Sequence, residues 1–200
     1  SMLMQMLTSM ARGGIYDHLF GGFARYSVDA QWLIPHFEKM LYDNALLARV
    51  YLRTWQITDD ASLLETAIEV LDYLDGPMAD PTGGVHSAED ADSEGEEGTF
   101  YIWTPEEVVA VLGEEDAGLF ARAYDITPSG NFEGKNILHL PRGPDALANA
   151  EELATEEIES RLAAGRARLL RARETRETIA EFGQMCSVEA GLPGAIHLIA

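Results

Sequence analysis

The segment 35–43, PHFEKMLYD, places several ionisable side chains close together in the sequence. A histidine transfers protons near neutral pH, and a neighbouring carboxylate can orient its ring or balance its charge. His36 and Asp43 are therefore candidate catalytic residues, with Asp43 as the orienting group. The alternative is a buried salt-bridge network in which Lys39 pairs with Glu38 or Asp43.

A second group of ionisable residues lies in the acidic run 75–97, which contains eight acids and no lysine or arginine. Glu89, Asp90 and Asp92 could supply the acid and the base of a glycosidase, which needs two carboxyl groups flanking the scissile bond. The same carboxylates could instead recognise hydroxyl groups of a ligand. Three further acids of this run are interpreted as a solvated hairpin tip: Glu94, Glu96 and Glu97.

Within the acidic run, the residues from Asp90 onward resemble the start of an EF-hand calcium loop. An EF-hand requires a bidentate carboxylate at its twelfth position, and counting Asp90 as the first position places Tyr101 there. Because tyrosine has no carboxylate, this loop is not an EF-hand. The single cysteine, Cys186, excludes a disulfide or a cysteine-based metal cluster within this chain. We therefore predict no metal ion and no cofactor.

An arginine and aromatic residues occur in the glycine-rich segment that precedes residues 35–43. Arg25, Tyr26 and Trp32 could form a platform for a sugar, because the apolar face of a pyranose packs well on aromatic rings. Packing of the loop itself is the alternative interpretation. We therefore treat these three residues as substrate-binding candidates.

The elements that must position these residues are predicted to be mostly helices. Pro35 is expected to begin a long helix, because apolar residues follow it at spacings of three and four. This helix would place His36, Lys39 and Asp43 on one face. Capping residues and periodicity predict further helices over 2–11, from Asp59 or Asp60 to Gly76, and over 105–112 and 114–124.

Short strands and a charged helix complete the predicted elements. Strands at 85–90 and 99–103 are expected to flank the acidic loop 91–98, and a turn and a strand are expected within 131–140. From Pro144 to Arg176 the alanine-rich, charged pattern predicts an exposed helix or two helices in line.

The composition excludes several classes of partner. The sequence has 34 acidic and 14 basic residues, which gives a formal net charge of −20. Such a surface repels nucleic acids and anionic membranes. No apolar run approaches the roughly 20 residues that a membrane-spanning helix needs. The single cysteine and the lack of a secretory signal predict a cytoplasmic protein.

Four unusual segments follow one another between residues 8 and 142: GGIYDHLFGGFARYSVD, WLIPHFEKMLYDNALLARVYL, GGVHSAEDADSEGEEGTFYIWTPEEV and GNFEGKNILHLPR. In content and in order these segments resemble the spermatogenesis-associated protein 20 family, which includes the YyaL-type proteins of bacteria and archaea. Such long strings in the right order are highly specific, and the resemblance covers about two thirds of the chain.

The resemblance implies a mainly α fold. Family members resemble a thioredoxin-like domain followed by a six-hairpin (α/α) toroid related to N-acylglucosamine 2-epimerases and to several glycosidases. This chain contains no Cys-x-x-C motif and resembles only the first part of the toroid, with short β-hairpins in the loops between helices. We expect a partial toroid domain over residues 1–176 and an unassigned tail, 177–200, that departs from the family pattern.

The resemblance also implies a function. In toroids of this type the substrate funnel opens where segment 35–43 would lie, which adds Lys39 and Tyr42 to the substrate-binding candidates. The expected protein is carbohydrate-active, with a site like that of a sugar epimerase, an isomerase or a glycosidase and a carbohydrate as its ligand. The alternative is a non-catalytic binding or scaffold module that works with a thioredoxin-like domain absent from this chain.

Overall fold

Helices form most of the computed structural model, which describes residues 1–93, 96–176 and 181–182. Residues 92, 93, 96, 181 and 182 are described by their backbone only. The predicted mainly α class is confirmed. The α-helices in these ranges are α1 (Met2–Arg12), α2 (Leu41–Thr58), α3 (Ala61–Asp75), α4 (Pro105–Leu112), α5 (Glu114–Tyr124), α6 (Pro144–Glu151) and α7 (Thr155–Arg173).

The strands of the described chain are two residues long and pair in the antiparallel sense. They are β1 (Tyr26–Ser27), β2 (Pro35–His36), β3 (Lys39–Met40), β4 (Ala88–Glu89), β5 (Asp92–Ser93), β6 (Glu96–Glu97) and β7 (Glu181–Phe182). Strand β1 pairs with β2, β5 pairs with β6, and β4 lies between β3 and β7. Because Lys39 lies opposite Glu89, the segment that precedes α2 is held against the acidic run.

The predicted start of the long helix at Pro35 is wrong. Residues 35–40 are extended and carry β2 and β3, and α2 begins at Leu41. Their side chains alternate in the manner of a strand: Pro35, Phe37 and Lys39 are buried, and His36, Glu38 and Met40 are partly exposed. His36 and Lys39 therefore point to opposite sides of the chain and do not share a helix face with Asp43.

The predicted strand at 99–103 is also wrong. The amide nitrogens of Tyr101 and Ile102 donate to the carbonyl of Gly98, which makes this segment a turn. The guanidinium of Arg176 donates to the carbonyls of Thr99, Phe100 and Ile102 at 2.8–3.1 Å. Because Arg176, which follows α7, donates hydrogen bonds to these three carbonyls, pairing with a neighbouring strand is not needed to satisfy them.

The charged region 144–176 forms two helices, α6 and α7, which pack against each other, and α7 also packs on α4 and α5. The expectation of an exposed helix is wrong, because a narrow stripe of buried side chains runs between the charged ones. Gly165 belongs to this stripe and lets the ring of Phe120 approach the backbone of α7. The buried members of the stripe are Ile158, Leu162, Gly165, Leu169 and Arg173.

The two largest apolar cores of the described residues stabilise these helices. One lies among α1, α2 and α3, where Phe23 and Tyr51 are fully buried and their rings stack at 5.5 Å. The other lies among α4 to α7, around Phe120 and Tyr124. The helix ends follow local chemistry: of the two predicted caps Asp59 and Asp60, Asp60 caps α3, and a reciprocal Thr104–Glu107 capping box begins α4.

Candidate functional site

His36 lies in a partly exposed cluster, here called the His36 cluster, formed by Arg25, Tyr26, His36, Glu38, Tyr42, Asp43 and Glu97. Pairing of β1 with β2 places Tyr26 opposite His36, and the two rings stack at 5.0 Å. Glu97 Oε1 lies 2.8 Å from His36 Nδ1. An ionised carboxylate only accepts hydrogen bonds, so Nδ1 is the protonated nitrogen in this contact.

The second ring nitrogen of His36 remains available for a ligand. Its Nε2 lies 3.8 Å from Glu38 Oε2, which is too far for a hydrogen bond, and the His36 side chain is 30% exposed. Among the described residues, Nε2 has no hydrogen-bond partner. The imidazole therefore has one nitrogen fixed by a carboxylate and the other turned toward a second carboxylate and solvent.

Arg25 links the remaining members of the His36 cluster. Its NH1 donates to Glu38 Oε2 at 2.9 Å, and this hydrogen bond raises the pKa of the guanidinium, with Tyr42 adding to the rise. Burial at the start of α2 raises the pKa of Asp43, and the charge of Arg25 opposes that rise. Glu97, rather than the predicted Asp43, makes the hydrogen bond that orients His36.

A separate cluster, here called the buried ionic cluster, is formed by Asp17, Lys39 and Arg173. Lys39 Nζ and Arg173 NH1 each lie 2.9 Å from a carboxylate oxygen of Asp17, and the three side chains are 4–5% exposed. Burial by itself would raise the pKa of Asp17, but the charges and hydrogen bonds of Arg173 and Lys39 outweigh it and lower this pKa well below its usual range. The predicted pairing of Lys39 with Glu38 or Asp43 is wrong, because the strand geometry turns Lys39 inward.

Aromatic rings surround the two buried cations. Lys39 Nζ lies 4.5 Å from the centre of the Tyr73 ring and 4.9 Å from that of Tyr101, and the Arg173 guanidinium packs 5.4 Å from the Tyr101 ring. Tyr73 donates its hydroxyl proton to Glu89 Oε2 at 2.6 Å. Burial, followed by the charge of Glu89, raises the pKa of both phenols, which keeps them protonated.

The cavity beside this ionic cluster is small. Its volume is about 30 Å³, and its lining includes Asp17, Lys39, Tyr101 and Arg173. A cavity of this size accommodates one water-sized guest, whereas small-molecule sites span hundreds of cubic ångströms. The buried ionic cluster therefore does not hold a sugar ring in this conformation, and its contacts link the glycine-rich segment, β3 and α7.

The other predicted site residues lie elsewhere. Trp32 has a left-handed backbone (φ 62°) and packs against the core of α1–α3, which is the loop-packing alternative. Asp90 is half-buried and accepts a hydrogen bond from the amide of Ala91 at 2.7 Å. The side chain of Asp92 lies outside the described residues. Glu89 accepts a hydrogen bond from Tyr73 and lies opposite Lys39 of the buried ionic cluster.

Three important residues were missed by sequence reasoning: Asp17, Glu97 and Arg173. Glu97 was interpreted as part of a solvated hairpin tip, and Arg173 as part of a solvated helix face. Arg173 lies 156 positions from Asp17, and Glu97 lies 61 positions from His36. No local pattern signals either contact, since both depend on how distant segments pack.

In the described part of the chain, no group of three or more histidine, cysteine, aspartate or glutamate side chains is arranged to hold a metal ion. No helix in that part of the chain is long and apolar enough to cross a bilayer.

Comparison with known proteins identifies the family. The chain is 36% identical to spermatogenesis-associated protein 20 of mouse and of human over 200 residues, which cover 88% of this chain and 25% of each relative. An uncharacterised protein of Caenorhabditis elegans is 34% identical over 184 residues, covering 78% of this chain and 25% of that relative. No protein-family model matches the chain. The chain spans about a quarter of the length of these curated relatives, and it belongs to the spermatogenesis-associated protein 20 family.

Proposed function

We propose that this segment is part of a carbohydrate-active (α/α) toroid, with His36 as its proton-transferring residue. The observation that carries the proposal is the contact of 2.8 Å between His36 Nδ1 and Glu97. A histidine held through one nitrogen by a carboxylate, with its other nitrogen accessible, is the usual arrangement of a general base.

The surroundings of His36 suit a sugar ligand. Tyr26 and Tyr42 are about half exposed, with 48% and 49% of their surfaces accessible, and offer apolar surface for a pyranose ring. Arg25 offers guanidinium donors, and Asp43 offers carboxylate acceptors for hydroxyl groups. Together with His36, these groups are half of the substrate-binding and catalytic candidates predicted from the sequence.

The arrangement favours proton transfer of the epimerase or isomerase type over glycoside hydrolysis. In this reaction Nε2 of His36 removes a proton from a sugar carbon next to a carbonyl group, whose oxygen takes up the negative charge. The proton then returns to the opposite face of the same carbon in an epimerase, or to the neighbouring carbon in an isomerase. The imidazolium formed in between is stabilised by Glu97 on one side and Glu38 on the other. Hydrolysis would instead need two carboxyl groups facing one glycosidic bond.

A second candidate function, a non-catalytic binding or scaffold module for a thioredoxin-like domain, has its own support. Lys39 and Glu89, both predicted site residues, are held in buried contacts with Asp17 and Tyr73. Side chains used in this way stabilise the fold and are not free to handle a substrate.

The test is proton exchange by the full-length protein. Aldoses and N-acyl sugars are incubated in deuterium oxide, and deuterium incorporation next to the carbonyl carbon is followed by proton nuclear magnetic resonance. We expect His36→Ala to reduce the exchange rate by about 10²-fold or more, the usual contribution of a general base. Glu97→Gln is expected to reduce it less, because the ring remains but loses its orienting charge.

Glu106→Gln serves as the matched control, since Glu106 is an exposed glutamate outside the His36 cluster. Its exchange rate should equal that of the unaltered protein. Equal rates in the His36→Ala variant would refute the assignment of His36. Sugar binding without any exchange in the unaltered protein would favour the binding-module candidate.

A further inference from the structure

A cleft of about 770 Å³ lies among α1, α3, α6 and α7, and its lining shares no residue with the His36 cluster. Its volume falls within the range of 300–1,000 Å³ that is typical of small-molecule sites. The walls combine polar and apolar atoms, and aromatic residues Tyr16 and Tyr124 contribute to the lining. The cleft is therefore large enough for a ligand of one or two rings.

Two helix faces supply polar groups to the cleft. On α3, Ser62, Glu65, Thr66 and Glu69 line it at spacings of three and four, which places them on one face of the helix. On α7, the same spacing brings a second set of side chains to the cleft: Glu156, Glu159, Ser160, Ala163 and Arg166. Helix α3 thus contributes carboxylates and hydroxyl groups to the cleft. Helix α7 contributes carboxylates, a hydroxyl group and a guanidinium group.

Glu69 and Arg166 are the most deeply buried charged groups of these two faces. Tyr16 donates its hydroxyl proton to Glu69, and Arg166 NH1 donates to the hydroxyl of Tyr124 at 3.2 Å. Burial raises the pKa of Glu69, and the charge of Arg166 opposes that rise. Arg166 and Glu69 influence each other across the cleft, yet within the described residues no ion pair joins them.

We propose that this cleft binds a neutral, polyhydroxylated small molecule between Glu69 and Arg166. A hydroxyl group can donate to a carboxylate and accept from a guanidinium, so one neutral ligand satisfies both walls. An anionic ligand would meet the carboxylates of α3 and α7, and a cationic ligand would meet Arg12, Arg142 and Arg166. The inference does not depend on the activity proposed for His36.

The test is calorimetric titration of the full-length protein with matched ligands. myo-Inositol, D-glucose and N-acetyl-D-glucosamine are neutral, whereas gluconate and glucosamine carry one negative or one positive charge. We expect at least one neutral compound to bind, with the charged compounds at least about tenfold weaker. Glu69→Gln and Arg166→Gln should each weaken the neutral compound by about tenfold or more, because each removes a charged hydrogen-bonding group.

Controls separate this site from the His36 cluster and from changes in folding. Glu106→Gln, a change at an exposed glutamate outside both sites, should leave the dissociation constant of the neutral compound unchanged. In the unaltered protein, the bound neutral compound should slow hydrogen exchange in peptides from 61–69 and 156–166. The proposal is wrong if no neutral compound binds, if charged compounds bind equally well, or if these peptides are unaffected. It is also overturned if both cleft variants retain full affinity, or if polypeptide fills the cleft in the full-length protein.

Discussion

At the scale of single residues, the partners of a buried ionisable group decide whether it keeps its charge. His18 and Asp17 are adjacent in sequence and both are buried, but their environments differ. Asp17 is matched by two cations and stays ionised. Among the described residues, the hydrogen-bond partner of His18 is the carbonyl of Gly13, at 2.9 Å, and burial lowers the pKa of the ring to about 4. The fold therefore holds one neighbour charged and the other neutral.

His18 makes stability dependent on pH in the acidic range. Its folded pKa is about 4 and its ordinary value is 6.5, so the unfolded chain binds a proton first as the pH falls. The contribution of the buried, neutral His18 ring to the free energy of unfolding is fully present above pH 6.5, and it is lost as the pH falls from 6.5 to 4. The loss should amount to roughly 3 kcal/mol, at about 1.4 kcal/mol per pKa unit.

This dependence can be measured as the midpoint of urea unfolding between pH 7.5 and pH 4.5 for the full-length protein. His18→Gln should flatten the decline, because glutamine does not titrate in this range. His86→Gln, a change at a partly buried histidine that is not among the groups shifting the His18 pKa, serves as the control and should retain the decline. An equally steep decline in His18→Gln would show that another group is responsible.

At the scale of elements, close helix packing depends on one glycine in α7. A Cβ at Gly165 would lie 2.9 Å from a ring carbon of Phe120, closer than normal contacts allow. Phe120 cannot move away easily, since its ring is buried and stacks on Tyr124 at 4.3 Å. Gly118, on α5, provides a contrast, because a Cβ there would meet only the flexible end of Arg122 at 3.4 Å.

The same substitution should therefore have opposite effects at these two positions. Gly165→Ala should lower the free energy of unfolding by about 1–2 kcal/mol, since overpacking outweighs the better helix propensity of alanine. Gly118→Ala should raise it by about 0.5–1 kcal/mol through propensity alone. Urea unfolding of the two variants checks both signs. Stabilisation by Gly165→Ala would contradict the packing described here.

At the scale of the whole molecule, the buried ionic cluster joins segments that are far apart in the chain. Asp17 comes from the glycine-rich segment, Lys39 from β3 and Arg173 from the end of α7. These segments lie against different apolar cores. The cluster therefore fixes how the N-terminal helices meet the C-terminal ones, and with them the segment that carries His36.

Asp17→Asn should be strongly destabilising, because it leaves two buried cations without a counter-charge. We expect a loss of about 3–5 kcal/mol, as for breaking other buried ion pairs. Asp116→Asn is the matched control: Asp116 pairs with Arg161 at 2.7 Å but is 44% exposed, so its loss should cost at most about 1 kcal/mol. Urea unfolding at neutral pH compares the two. Similar small losses would mean that the buried ionic cluster does not hold the two parts together.

Sequence patterns predicted the elements whose signals are local. The capping residues Asp60, Thr104 and Glu107 correctly predicted where α3 and α4 begin. Segment 35–40 was misjudged because its proline and the apolar stripe after it resemble a helix start. Pairing with β1 and β4 overrides that preference, since partners distant in sequence satisfy the extended backbone.

The sequence by itself determined the family, the mainly α class and the bounds of several helices. These properties follow from long specific strings and from interactions within a few residues along the chain. Only the tertiary structure decided that Glu97 contacts His36, that Lys39 turns toward Asp17, and that α3 and α7 enclose a cleft. Side chains separated by dozens of positions meet through packing of whole elements, and no short-range pattern of the sequence specifies which of them meet.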